Sequence, residues 1–320
     1  MLQVRQALNA PPAMKLTGIA DEAGADIQLQ IKAVQSLGWN AIELRNAALH
    51  GSTPGSIHEI PEDQFLAIAE TIEQTGVTIP AIGSTIANWA RSIEEPFSVT
   101  LEQLERVIPR AKRLGTQFIR IMSYAVLKAP DGSDAPDQMR DERIRRLREI
   151  HARLTDAGLT PVHENCMNYG GMGISYTQDL LEAIPNFKLV FDTANPVFNR
   201  DRDYTGAANP APMQCPWAFY QAVRDHVIHV HIKDCVWNPD KNDADYTWPG
   251  EGHGRVRDIL SDLKQRAYTG WISIEPHMAV VFHDTQTAVD SPEMAAKKAA
   301  AQYDNFVAYG QRLEHLIASL

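Results

Sequence analysis

The chain has 320 residues, of which 44% are hydrophobic and 22% charged, ordinary values for a globular protein with a full core. That length suits one large α/β unit or two small domains. A net charge of −10 argues against a general nucleic-acid surface, and no apolar run nears the roughly 20 residues that a membrane span requires.

Residues 1–13 carry Gln3, Arg5, Gln6 and Asn9 without an apolar centre, and read as an N-terminal extension rather than a signal peptide. Residues 16–20 read as the first strand. A stretch at helical spacing over 27–37 stops at Gly38, and 41–44 then turns β-rich. The same punctuation returns three times. The helical pattern of 65–75 stops at Gly76 before strand 79–82, that of 101–114 at Gly115 before 118–121, and that of 143–157 at Gly158 before 161–164. Within the last helix Arg140, Arg143, Arg145, Arg146 and Arg148 interleave with Asp137, Asp141, Glu142 and Glu149, the pattern of a solvated face with ion pairs. Ser175-x-x-Gln178 reads as a capping box. Strands follow at 188–191, 227–232 and 271–275, and Ser291-Pro292-Glu293 starts a long helical stretch over 294–320. Cys166, Cys215 and Cys235 are odd in number and widely spaced, which excludes a disulfide framework and fits a reducing cytoplasm.

Eight strands alternating with helices predict parallel pairing with right-handed crossovers, and hence a (β/α)8 TIM barrel over 14–320 with a C-terminal helix. No Pro-, Gly- or Ser-rich linker divides it. A doubly wound open sheet is the alternative, without a GxGxxG after the first strand to support it. The irregular stretches 195–216 and 237–254 follow the sixth and seventh strands, on the face where barrels carry their chemistry.

Four successive strands end in polar residues: His163-Glu164-Asn165, Asp192-Thr193, His229 to Asp234, and Glu275-Pro276-His277. Convergence of Glu164, Asp192, His231 and Glu275 would set three carboxylates around one point, an arrangement that a divalent cation relieves. Oxygen and imidazole donors without thiolate suit Mn²⁺ first, with Mg²⁺, Co²⁺ and Zn²⁺ also compatible. His229 and His231 share a face, and one of them reads as a structural or supporting histidine rather than a ligand. Lys233, on the side of His231, faces the pocket; Glu43, Arg45, Trp89 and Trp248 are candidate walls of a sugar site.

These segments, with Phe191-Asp192-Thr193-Ala194-Asn195-Pro196, Ile42-Glu43-Leu44-Arg45 and Pro249-Gly250-Glu251-Gly252, resemble the xylose isomerase-like barrel superfamily. They resemble in particular the sugar phosphate isomerase/epimerase group, which includes ketose 3-epimerases and inosose dehydratases. The resemblance runs over essentially the whole chain. It implies Glu164, Asp192, His231 and Glu275 as metal ligands. It also implies that Glu164 and Glu275 exchange protons with the substrate from opposite sides of a sugar carbon. One departure is Asn195, which stands where ketose epimerases typically place a substrate-holding histidine three residues after the ligand aspartate.

The expected activity is metal-dependent isomerisation or epimerisation through an enediolate, with Asn195, Lys233, Glu251, His253, Glu43, Arg45, His277 and Trp89 as candidate substrate contacts. The alternative is β-elimination from an oxidised (3-keto) sugar or glycoside, for which His163, His253 and His277 are candidate acids or bases near neutral pH; His163, beside Glu164, can equally pack outward. A phosphodiesterase like the apurinic endonucleases would need more ligands and a basic groove, and a non-catalytic sugar-binding barrel has no need of two facing carboxylates. The expected partner is a small sugar or keto-glycoside rather than nucleic acid or membrane, and the helix over 294–320 offers a surface for a homo-oligomer or hetero-complex.

Overall fold

Each candidate strand is short, apolar and bounded by turn residues, and in the computed structural model of the protein all eight form one parallel sheet. The structure describes residues 14–208, 210–278 and 292–320, with side chains from 300 onward in the last segment. The extension 1–13 and Ser291 of the helix start lie outside the described residues.

The strands are β1 (Lys15–Gly18), β2 (Ala41–Leu44), β3 (Thr78–Ile82), β4 (Phe118–Ile121), β5 (Thr160–Glu164), β6 (Lys188–Asp192), β7 (Val227–Ile232) and β8 (Trp271–Ile274). They pair in the order β1-β8-β7-β6-β5-β4-β3-β2, and a bridge between Ile19 and Glu43 draws β1 against β2. The sheet is thus a nearly closed barrel, the expected α/β class. The helices around it are α1 (Ile27–Ser36), α2 (Glu62–Thr75), α3 (Phe97–Leu114), α4 (Arg140–Asp156), α5 (Ile174–Ala183), α6 (Pro216–Val223), α7 (Val256–Gln265) and α8 (Pro292–Ala318). None of the described helices is long and apolar enough to cross a membrane.

The glycine punctuation has its physical cause at Gly76 and Gly115, the left-handed C-caps of α2 and α3 at φ 68° and 67°. α2, α3 and α4 begin three or four residues earlier than hydrophobic spacing indicates, and in α2 and α4 the cause is a polar first turn. Pro109 sits inside α3 on its exposed face, where the carbonyl it leaves unpaired meets water. The main core cluster lies between strands and helices, where α8 seals it with Phe306, Tyr309 and Leu313, all fully buried, and a smaller cluster joins Ala81, Phe118, Val162 and Val190 of β3 to β6.

Two local expectations are corrected. Ser175 does not cap α5: it lies within the first turn, and its N–H and hydroxyl both donate to the Asp203 carboxylate from the loop after β6. The arginine run of α4 is not one solvated face. Arg143 is fully buried, donating to the carbonyls of Gln138, Ser123 and Ala125, while Arg146 is buried against Phe97 and Tyr124. A helix of 17 residues turns through all directions, so charge alternation along the chain does not say which arginine points inward.

Candidate metal centre and active site

Strand alternation sends Glu164 of β5, Asp192 of β6 and His231 of β7 into the barrel mouth, and Glu275 joins them one residue past β8. Register brings them level, since Asp192 pairs with His231 across β6 and β7, and the Glu275 N–H donates to the Ile232 carbonyl. One ligand-type atom from each of the four lies within 4.8 Å of all the others, and all four residues are buried. His231 Nδ1 faces Glu164 Oε1 at 3.6 Å and Glu275 Oε2 at 4.0 Å, too long for hydrogen bonds.

The charge of the three carboxylates is met by two cations from the other half of the barrel, Arg120 and Arg45, and by Lys233 just past β7. Arg120 of β4 lies 3.2 Å from Glu164 Oε2. Arg45, just past β2, donates to Glu275 Oε1 at 2.7 Å and is itself held by Asp21 and Glu22. Lys233 lies 3.1 Å from Asp192 Oδ2 and donates to Glu275 Oε2 at 3.0 Å. Burial opposes ionisation of Glu164 and Glu275. Arg120 and His231 together outweigh it at Glu164, and Lys233, His277 and Arg45 together outweigh it at Glu275, so both stay below the usual carboxylate range. Burial pushes Asp192 up, against the pull of Lys233.

Glu164 Oε2, Asp192 Oδ2 and His231 Nδ1 are nonetheless buried without a hydrogen-bond partner. Buried polar atoms are rarely left so, and three of them converging on one point form a donor set of oxygen and imidazole nitrogen that fits a divalent cation. Glu43 supports the set from below. It accepts from His231 Nε2 at 3.1 Å and from His229 Nε2 at 2.7 Å, which turns the Nδ1 edge of His231 toward the cluster. Burial disfavours the His231 cation, but Glu43 and Glu164 raise its pKa to about 10.

A cavity of about 230 Å³ opens over the cluster, lined by Arg45, Trp89, Asn195, Lys233 and His277 among others. Asn195 donates to Glu164 Oε1 at 3.2 Å, and its own N–H bonds Asp192. His277, at a left-handed φ of 53°, donates its N–H to Glu22 and sets Nδ1 2.7 Å from the same carboxylate. Trp89 stands half-exposed at the mouth.

Five expected site residues lie elsewhere. His163 points outward from β5, its Nε2 3.0 Å from the Ser123 hydroxyl and its ring against Phe187; burial lowers its pKa to about 4. A strand cannot aim two adjacent side chains at one pocket, so with Glu164 inside, His163 belongs to the layer under the helices. Glu43 lies beneath the cluster and does not wall the cavity. Glu251 is exposed and pairs with Arg312 of α8, and His253 is exposed too. The glycines around them donate N–H groups to Asp234, and this backbone cradle turns both side chains out. Trp248 packs beside Tyr309 under Arg312. The sequence reading missed Arg120, Glu22 and Tyr246. Arg120 left a signal, since a charge within Phe118-Ile119-Arg120-Ile121 is out of place in a buried strand unless it has a partner.

A nearly closed eight-stranded parallel barrel with an acid–imidazole cluster at its C-terminal mouth is the class that fold and site define. Residues 31–301 match the family model of the xylose isomerase-like TIM barrel, and the chain belongs to that family. No curated protein sequence matches it. Among solved structures it is similar to a xylose isomerase-like TIM barrel protein from Mycobacterium smegmatis in complex with magnesium, with 16% identity and TM-score 0.60 over 95% of this chain and 98% of that one. It is similar to 3-keto-D-glucoside 4-epimerase from E. coli, with 15% identity and TM-score 0.55 over 91% and 99%. It is also similar to a probable 3-DHS dehydratase from Bacillus anthracis, with 16% identity and TM-score 0.59 over 91% and 98%. At these identities the likeness is one of fold.

Proposed function

We propose that this chain is a divalent-metal-dependent enzyme that moves a proton at the carbon beside a sugar carbonyl, an isomerase or epimerase of a sugar or keto-sugar. The observation that carries this reading is the convergence of Glu164, Asp192, His231 and Glu275 within 4.8 Å, with three of their buried ligand-type atoms lacking any hydrogen bond. Those four residues would hold the ion, Mn²⁺ first and Mg²⁺, Co²⁺ or Zn²⁺ as alternatives. A divalent cation there supplies Lewis acidity toward a carbonyl oxygen.

The protein's own groups account for the remaining steps. Glu164 takes the proton from the substrate carbon, and Glu275 returns one to it. Asn195 fixes the Glu164 carboxylate by its bond to Oε1, and Arg45 fixes Glu275. Arg120 and Lys233 line the cavity as cations, where they offset negative charge that develops on substrate oxygen. The epimerase among the similar structures supports this reaction type.

The second reading is β-elimination from a keto-sugar or glycoside, favoured by Lys233. Its ammonium is the one lysine in the cavity lining and can hand a proton to a departing oxygen. The dehydratase among the similar structures supports it. Product analysis separates the two, because elimination changes the substrate's composition and isomerisation does not.

The testing experiment is metal analysis of protein purified without chelators, beside Glu164→Ala and Asp192→Ala. About one equivalent of metal is expected in the parent, with both metal and turnover lost in the variants while the fold survives. A metal-free parent that no added divalent ion activates, or a variant with full turnover, overturns the reading.

A further inference from the structure

Beside the acid cluster the barrel mouth carries a second cavity, of about 260 Å³, set among the loops that follow β3, β4, β5 and β6. It shares Trp89 and Met167 with the central cavity, so the two adjoin at these side chains. Their chemistry differs. Glu164 and Glu275 line the central compartment, whereas the second is lined by no carboxylate: Trp89, Ala125, Val126, Met167 and Met172 make its apolar side, and Asn168, Asn199, Lys128 and Arg202 its polar side. Two cations stand at its edge, and both are turned to one acid: Asp134 accepts from Lys128 at 2.5 Å and from Arg202 at 2.8 Å.

Size indicates that the compartments work together. Small-molecule pockets begin at roughly 300 Å³; the central cavity at 230 Å³ and the side cavity at 260 Å³ each fall short, and joined they pass it. The seam carries a further indication. Trp89 is 37% exposed, while most large apolar side chains of the described residues are buried. A partly exposed indole at the junction of the two cavities is a stacking surface for a flat ring, and the flexible thioethers of Met167 and Met172 in the same lining adapt to rings of different outline.

We propose that the side compartment is a subsite for a flat apolar substituent, an aromatic ring foremost, carried by the sugar that occupies the central cavity. The substrate class is then an oxidised sugar that keeps its aglycone, rather than a free ketose. This rests on the sugar-site reading above. The sugar presents its carbonyl side to Glu164 and Glu275, and its substituent crosses between Trp89 and Met167.

The test uses matched methyl and 4-nitrophenyl 3-keto-glycosides of the same hexoses, titrated calorimetrically into Mn²⁺-loaded full-length protein and into its Val126→Asp and Trp89→Ala variants. Val126 lines only the side compartment. The 4-nitrophenyl member is expected to bind about tenfold more tightly. That preference should fall to parity in both variants, with methyl-glycoside affinity unchanged in Val126→Asp. Equal affinities in the parent, or a preference that survives both substitutions, overturns the subsite and leaves the sugar site standing. Metal-loaded protein that binds neither member of any pair overturns both.

Discussion

The two halves of the barrel contribute opposite parts to its mouth. From β5 to β8 come three carboxylates and the imidazole that faces them, each at the end of its strand. From β1 to β4 come most of the groups that make such a cluster tolerable: Arg45 on Glu275, Arg120 on Glu164, and Glu43 beneath His231, with Lys233 just past β7 the exception. Two buried histidines display the difference. Burial disfavours the cation of each, but Glu43 and Glu164 raise His231 to about 10. His58, in the loop between β2 and α2, has arginines 106, 110 and 120 around it and falls to about 4 despite Glu59. Neighbours, not burial alone, decide the charge state of a buried group.

The strongest way to break the comparison is to remove a cation from the first half. Arg120→Leu leaves Glu164 buried without its counter-charge, which should destabilise the metal-free protein by about 3 kcal/mol. Metal should restore much of that loss, since it binds only the folded state. Thermal melts with and without Mn²⁺ check this, and equal losses in both would show that Arg120 does not balance Glu164.

Next in size is a pH effect at His58, held between Ser56 Oγ and Thr85 Oγ1. Its folded pKa of about 4 lies below the unfolded 6.5, so in that window the unfolded chain binds a proton that the native state refuses. Its contribution is therefore full above pH 6.5 and lost as pH falls toward 4, on the order of 3 kcal/mol in all. Urea midpoints at pH 7 and 4.5 should differ less in His58→Gln than in the parent; an unchanged difference sinks the assignment.

The smallest change is Glu43→Gln. It keeps the shape but gives up the charge that orients His231, and metal affinity should weaken about 10- to 100-fold without loss of the fold. Competition titration against a chelating dye measures it, and an unaltered affinity would make Glu43 a packing residue only.

Much of the fold was legible before any coordinates. Hydrophobic period and the glycine stops mark eight strand–helix units, because both are local: a strand needs a short apolar run, and a helix needs a left-handed residue to end it. The starts of α2 and α4 were misjudged because polar first turns carry no hydrophobic signal. The cap of α5 was misread because Asp203, 28 residues away in sequence, takes the role assigned to Ser175.

What the sequence determined by itself about the site was the residue types at four strand ends, since strand alternation and barrel closure send Glu164, Asp192, His231 and Glu275 to one mouth. What only the tertiary structure decided was everything that acts across the barrel. Arg45 meets Glu275 across 230 residues of chain, and Glu43 meets His231 across 188. His163, Glu251 and His253 turn away although their neighbours in sequence face inward or hold the loop. The physical reason is that charge pairing and side-chain direction depend on distances of a few ångströms in space, and a linear pattern specifies such distances only within one strand or one turn of helix.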